Sequence, residues 1–243
     1  MMLGGLKKPE EHFPTLVADL RAAFGQRLVA VIVYGSAARK DYQPGKSDVN
    51  LLVVLTAMDM RALDSSFAFV RRWRRRRVAV PLLMTREFIA TSLDVYPVEF
   101  LNMQRHYRVL WGEDVLAGIT FDPSCLRLQL ERELKGKLLH LHQGYVEALG
   151  RPAGVRRLIS VSLPAFLSLF QALLYLKGLA PAPDRRDLIQ KAAASSALDA
   201  AVFLRCLELR EGLRLPHAQL QLLFHAYYDQ VLKLLELVEA GQI

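Results

Sequence analysis

The first half of the chain alternates short apolar runs with amphipathic segments. The apolar runs predict strands at 28–34, 49–55, 78–84 and 96–103, and the first of them is rich in β-branched residues. The amphipathic segments have helical spacing and predict helices at 13–24, 59–75 and, more briefly, 86–92. Because the strand segments are largely apolar on both faces, we expect a sheet covered by helices. This half is therefore predicted to be α/β (α+β), with a mixed sheet and flanking helices.

The pattern changes after Asp122-Pro123, where only helical periodicity remains. Leucines at 130, 134, 138 and 141 mark one face of a long helix over 126–149. An apolar helix at 158–176 follows, and further helical segments fit 184–212 and 216–240. We predict two domains, 1–122 and 123–243, of which the second is an all-helical bundle.

The segment 158–176 has nineteen residues without a charge, which is long enough to span a bilayer as a helix. It also contains Pro164, Gln171 and three serines, and the segments on both sides are amphipathic. A central bundle helix surrounded by amphipathic helices is apolar on all sides as well. We therefore predict a buried bundle helix and no membrane partner.

Composition places the chain among globular proteins. Its 243 residues are 52% hydrophobic and 23% charged, which excludes a disordered or collagen-like chain. The two cysteines, Cys125 and Cys206, are too few for a disulfide framework and lack CxxC spacing. No apolar run follows the N-terminal lysines, so no secretory signal is expected. These features together favour a cytoplasmic protein.

The positive charge is concentrated in one place. The formal net charge is +8 from 32 basic and 24 acidic residues, and six of the arginines lie in the run Arg71–Arg77. Such a patch attracts phosphates in general, whether they belong to nucleotides, nucleic acid or lipids. The simpler interpretation is a solvated helix end whose cations oppose the helix dipole, with Trp73 as a packing anchor. Nucleic-acid binding through this run stays open as an alternative.

Candidate chemistry is concentrated between the first two predicted strands. One strand ends in Gly35-Ser36, and after a polar loop the next begins with Asp48-Val49-Asn50. A Gly-Ser turn allows close backbone approach and can bind a phosphate through its amides and hydroxyl. Asp48 and Asn50, two apart on a strand, share a face. Glu99, within the predicted strand 96–103, would be costly to bury without a cation or hydrogen-bond partner.

These residues resemble the polymerase-beta-type nucleotidyltransferase superfamily, especially its small bacterial and aminoglycoside-modifying members. That family has a Gly-Ser turn, then Asp-x-Asp on the next strand, then a third carboxylate on a later strand. Arg39 and Asp41 resemble the family's Ala-Arg-Gly-Asp run, with Lys40 in place of glycine. The phrase VLWGEDVL at 109–116 resembles the strand and turn that follow the third carboxylate, and the helical second half resembles the aminoglycoside nucleotidyltransferases.

The resemblance implies a transferase that moves a nucleoside monophosphate from a nucleoside triphosphate to an acceptor. It implies that Gly35, Ser36 and Arg39 bind the nucleotide. It also implies that Asp48 and Glu99 are catalytic, and that Asp48, Asn50 and Glu99 hold Mg2+. The departure is Asn50, which stands where the family has its second aspartate. Asparagine keeps an oxygen ligand but removes a negative charge, so the two-metal site and the activity are expected to be weakened.

Several alternatives stay open. The chain can be a catalytically inactive nucleotide-binding or regulatory relative instead of an enzyme. The acceptor can be a small molecule, a protein or a nucleic acid, and a homodimer is compatible with the sequence.

Overall fold

The computed structural model describes residues 6–39 and 42–243. The chain divides into two compact units. The first comprises Met1–Asp94 and Glu99–Thr120, and the second comprises Val95–Val98 and Phe121–Ile243.

The first unit is built on a mixed four-stranded sheet. The strands are β1 (Leu28–Tyr34), β2 (Asn50–Leu55), β3 (Leu82–Thr85) and β4 (Tyr107–Gly112). Their order is β3-β2-β1-β4, with β1 antiparallel to both β2 and β4, and β2 parallel to β3. The mixed sheet predicted from the sequence is confirmed.

The two central strands form the core of this unit. Residues 28–33 of β1 and 51–55 of β2 are all buried, which fits their near-continuous apolar sequence. Helix α1 (Phe13–Phe24) packs Leu16 and Leu20 into the same core, together with Trp73 from the far end of α3. The shorter helices are α2 (Met60–Ser65), α3 (Phe67–Trp73), α4 (Arg86–Ala90) and α5 (Pro97–Arg105).

The prediction of a strand over 96–103 is wrong, because these residues form α5. Pro97 stands in the first turn, where its missing N–H costs no hydrogen bond. Val98 and Leu101, three residues apart, are buried, whereas Glu99 is exposed. The spacing is therefore helical, and Glu99 lies in solvent at no desolvation cost.

Two other elements are shorter than expected. The strand expected over 78–84 is reduced to β3, preceded by an isolated bridge between Val49 and Val78. Pro81 separates the two because it has no N–H to donate to a ladder. The helix expected over 59–75 is two helices, α2 and α3, and the Asp59 side chain caps α2 by accepting a hydrogen bond from the Ala62 N–H.

The second unit contains five long or medium helices. They are α6 (Pro123–Ala148), α7 (Pro152–Leu176), α8 (Arg185–Ser195), α9 (Ala200–Glu211) and α10 (His217–Glu239). The single helix expected over 184–212 is split into α8 and α9, because Asp199 accepts a hydrogen bond from the Ala201 N–H and begins a new helix. Phe166, Phe170, Phe203 and Tyr227 meet edge to face in its core, with ring centroids 5.0–5.9 Å apart.

Helix α7 is long and apolar enough to cross a membrane. However, 56% of its most apolar window is buried inside the protein. The buried residues include Phe166, Phe170 and Leu173, which pack within the bundle. This burial supports the interpretation of α7 as a core helix.

Candidate functional site

The Gly-Ser turn and the Asp-Val-Asn segment lie together at one end of the central strand pair. Tyr34, the last residue of β1, pairs with Asn50, the first residue of β2. Gly35 follows with φ +74°, and its N–H donates to the His106 carbonyl over 2.9 Å. A Cβ placed on Gly35 would lie 3.4 Å from the amide nitrogen of Asn50, so the Asn50 side chain rests directly against the turn.

Backbone alternation places Asp48 and Asn50 on the same side of the chain. Val49 between them is fully buried, whereas Asp48 is exposed and Asn50 is half-buried. Residues 35–38 form a single 3-10 turn in which the Arg39 N–H donates to the Ser36 carbonyl, 3.1 Å away. The structure therefore places the Gly35-Ser36 turn against Asn50, and Asp48 comes two residues before Asn50 in the chain.

Asp48 has a cationic partner. Arg77 Nε lies 3.0 Å from Asp48 Oδ1, and the same guanidinium donates to the carbonyls of Lys46 at 2.9 Å and Ser47 at 3.4 Å. The Arg77 backbone is also fixed, because its carbonyl accepts from the Val49 N–H and its own φ is +62°. Arg77 is thus held by main-chain and side-chain contacts to the segment 46–49.

A tyrosine hydroxyl is buried beside this ion pair. The hydroxyl oxygen of Tyr42 is inaccessible to solvent and has no hydrogen-bond partner within the described residues. Burial raises the pKa of Tyr42, and the positive charge of Arg77 opposes that rise. The phenol is therefore protonated near neutral pH and offers a hydrogen-bond donor in the loop that follows the Gly-Ser turn.

The remaining predicted site residues are placed as follows. Arg39 is half-buried in extended backbone directly after the 3-10 turn. Lys40 and Asp41 lie outside the described residues. Glu99 is exposed on α5, not on a strand of the sheet. The VLWGEDVL phrase forms the end of β4 and the turn after it, where Glu113 makes a two-bond ion pair with Arg86.

Several residues of the basic run 71–77 make contacts inside the protein, which a fully solvated helix end would not make. Trp73 is fully buried, and its indole N–H donates to Asp19 Oδ2 at 2.7 Å. Arg72 pairs with Asp19 Oδ1 at 2.8 Å, and the guanidinium groups of Arg72 and Arg76 lie 5.6 and 5.2 Å from the Trp73 ring centre. The prediction of Trp73 as a packing anchor is confirmed, and three arginines of the run make internal contacts.

Comparisons with known proteins address the fold. The spectinomycin adenyltransferase AAD(9) from Enterococcus faecialis, solved with ATP and spectinomycin, superposes with a TM-score of 0.55. That match covers 91% of this chain and 98% of the adenyltransferase at 10% sequence identity. The chain has a nucleotidyltransferase fold. The fold that the resemblance implies is confirmed by this match.

A sequence relative agrees with this fold. The CCA-adding enzyme of Pyrobaculum islandicum is 25% identical over 128 residues, which are 52% of this chain and 30% of that enzyme. The chain therefore matches less than a third of the length of this relative. No family model matches the chain.

Among the residues that the structure describes, the oxygen donors next to the Gly-Ser turn do not form a two-ion site. The carboxylate of Asp48 is paired with Arg77, and the side-chain amide of Asn50 offers an oxygen ligand that carries no negative charge. Residues 78–85, which pair with β2 on its outer side, contain no acidic residue. Within residues 6–39 and 42–243, no three His, Cys, Asp or Glu side chains are grouped so as to hold a metal ion.

Two residues of the site were missed by the sequence analysis. The sequence pattern assigns Arg77 to the basic run and gives it no role at the site. In the structure, Arg77 immediately precedes Val78, which forms the bridge to Val49. That adjacency to a predicted strand was a usable signal, because paired strands carry their flanking residues to one end of the sheet. Tyr42 had no signal, since a loop position predicts neither burial nor a contact.

Proposed function

We propose that the first unit binds a nucleoside triphosphate at the Gly35-Ser36 turn and transfers its nucleoside monophosphate to an acceptor, with weak activity. The observation that carries this proposal is the placement of the turn directly against Asn50, next to Asp48, in a nucleotidyltransferase fold. A positive-φ glycine followed by a serine hydroxyl offers donors to phosphate oxygens without steric obstruction.

The residue roles follow from the contacts available. In this proposal the Ser36 hydroxyl and the backbone amides of the turn bind phosphate oxygens, and Arg39, just after the turn, adds a cation. Because Asp48 is occupied by Arg77, we propose that Mg2+ enters on the triphosphate as part of the substrate. The AAD(9) structure was solved with ATP, which supports a nucleoside triphosphate as the ligand class.

The transfer itself is a displacement at the α-phosphorus. The acceptor hydroxyl oxygen forms a bond to that phosphorus, the bond to the bridging oxygen of the β-phosphate breaks, and pyrophosphate leaves. The acceptor proton must move to a base, and the exposed carboxylate of Glu99 is our candidate. The spectinomycin bound to AAD(9) supports a small hydroxylated molecule as one acceptor class, beside a protein or a nucleic acid.

A double variant tests the binding site. Ser36→Ala with Asp48→Ala removes one hydroxyl and one carboxylate beside the turn. We expect at least a tenfold loss of ATP and GTP affinity in titration calorimetry, with thermal unfolding nearly unchanged. The matched control is Asp64→Ala with Ser65→Ala, which removes the same groups from the exposed face of α2. Equal affinity of both double variants for both nucleotides would place the site elsewhere.

A nucleotide-binding relative without transferase activity is the second candidate. It is favoured by the Arg77 contact, which neutralises the carboxylate that a transferase would use at this position. A radiolabelled pyrophosphate-exchange assay with spectinomycin present as a trial acceptor separates the two candidates for that acceptor, because a direct displacement exchanges pyrophosphate only through the nucleotidylated acceptor. Exchange that depends on both Asp48 and Glu99 supports the transferase, whereas tight nucleotide binding without exchange supports the binding protein.

A further inference from the structure

The position next to Asp48 is filled by a guanidinium. Arg77 approaches the carboxylate at 3.0 Å and is anchored by the carbonyls of Lys46 and Ser47. These carbonyls are oxygen acceptors of the kind a hard cation also uses. The guanidinium therefore contacts three oxygen atoms of residues 46–48. A divalent ion bound at Asp48 would need the same oxygen atoms as ligands.

The backbone keeps Arg77 in this place. Val49 donates to the Arg77 carbonyl and Ala79 donates to the Val49 carbonyl, each over 2.9 Å, so residues 77–79 run beside Val49. Arg77 adopts φ +62° and ψ +33°, a left-handed conformation that is uncommon for residues other than glycine, asparagine and aspartate. Such a conformation persists only where surrounding contacts determine it.

Both side chains remain in reach of solvent. The Asp48 side chain is 52% exposed and the Arg77 side chain 35% exposed. An ion pair at this exposure is exchangeable, because it contributes only a small net stabilisation. A divalent ion can therefore approach Asp48 but has to displace the guanidinium to bind it.

We propose that Arg77 is an internal cation of the site that competes with divalent ions for Asp48 and so sets the metal requirement of nucleotide binding. The proposal rests on the proposed function for its nucleotide part, whereas the competition itself concerns only Asp48, Arg77 and the ion. Arg77 is a positioning residue here, because it acts on the ligand through Asp48. Asn50 contributes to the same competition. Because its side chain is neutral, it adds no second negative charge that would help a divalent ion to displace Arg77 from Asp48.

The test measures binding of Mn2+ alone, by electron paramagnetic resonance of the free ion. Arg77→Asn removes the guanidinium and keeps a residue that tolerates left-handed backbone. We expect its Mn2+ affinity to rise three- to tenfold over the parent protein. Arg75→Asn removes an equal charge from the same run, and Arg75 makes none of the contacts described for Arg77. We expect this control to stay within twofold of the parent.

Further variants complete a double-mutant cycle of Asp48 and Arg77. Asp48→Asn is expected to abolish Mn2+ binding, and adding Arg77→Asn to it should restore nothing, because the two residues act on one another. If Arg77→Asn is poorly folded in thermal melting, Arg77→Gly replaces it, since glycine adopts this backbone without strain. An unchanged Mn2+ affinity in a folded Arg77 variant overturns the proposal, as does an equal gain in Arg75→Asn or the lack of any binding in all variants.

Nucleotide titrations with and without Mg2+ separate this proposal from the proposed function. If Ser36→Ala with Asp48→Ala binds ATP like the parent, the nucleotide site is wrong while the Mn2+ result still stands. If nucleotide binding is located correctly but its Mg2+ dependence is the same in Arg77→Asn and the parent, Arg77 does not set the metal requirement.

Discussion

Replacing Asn50 by aspartate changes one atom of the side chain and adds one negative charge beside the Gly-Ser turn. Asn50 contacts the Gly35 position and begins β2, two residues after Asp48. Along an extended chain, two residues span about 7 Å. At that separation two unit charges repel by about 0.6 kcal/mol in water and about 2.4 kcal/mol at an effective dielectric of 20. Because Asp48 is half exposed and paired with Arg77, whose charge offsets part of the repulsion, the lower value is an upper limit.

The repulsion and its relief can both be measured. Without a divalent ion, Asn50→Asp should lower the melting temperature by no more than about 2 °C, given the usual sensitivity of a chain of this size. With Mn2+ or Mg2+ the two carboxylates attract one ion together, so the loss should be reversed. A tenfold gain in metal affinity requires only about 1.4 kcal/mol, which a second carboxylate can supply after desolvation. Metal-dependent ATP affinity should rise in the same variant.

The matched control for this variant is Gln219→Glu, which makes the same amide-to-carboxylate change at an exposed position of α10. The control should show no metal-dependent change in melting temperature. Our reasoning is refuted if Asn50→Asp leaves metal-dependent triphosphate affinity unchanged while Asp48→Asn abolishes it. Position 50 would then face away from the ion, and the inferred register of the site would be wrong.

Three further predictions concern packing within the two units. Trp73→Phe removes the hydrogen bond to Asp19 and should cost about 2 kcal/mol of unfolding free energy in urea titrations, whereas Trp111→Phe at the half-buried end of β4 should cost less than about 1 kcal/mol. Gly112→Ala places a Cβ 2.0 Å from the Val29 carbonyl oxygen, so it should melt more than about 5 °C below Gly118→Ala, which has similar positive φ and open space. Burial raises the pKa of Cys206 to about 12, so a disulfide reagent at pH 8 should titrate one thiol in the native protein, Cys125, and two after denaturation.

The sequence predicted those elements whose pattern is long or chemically distinctive. β1 and β2 follow from nearly continuous apolar runs, and α6 follows from leucines spaced along one face of a long helix. The segment 96–103 was misassigned because a short apolar run has no decisive period, and only Pro97 indicated a helix start. The Gly-Ser and Asp-Val-Asn motifs met because adjacent antiparallel strands bring their linked ends together.

The pairing of Asp48 with Arg77 was beyond the reach of local patterns. It joins residues far apart in the chain and depends on the bridge between Val49 and Val78, which forms only when the sheet is assembled. A run of six arginines also conceals the one that differs, since composition treats all of them alike. Arg77 differs from the other arginines only because Val78, the next residue, pairs with Val49. That pairing is part of the tertiary structure and cannot be read from a local pattern.

The charge balance at the site makes opposite demands on binding and on transfer. Asp48 and Arg77 cancel and Asn50 is neutral, so the turn offers its phosphate donors without the two carboxylates that would repel a triphosphate in the absence of an ion. If the proposed function holds, this arrangement favours binding of the nucleotide. Stabilising the negative charge that develops on the leaving pyrophosphate needs a cation held close to the α- and β-phosphates, and two acidic ligands would hold it better. Under the proposed function, the same residues therefore favour binding of a nucleotide without metal and limit transfer, and the dependence of ATP affinity on Mg2+ measures the balance between the two.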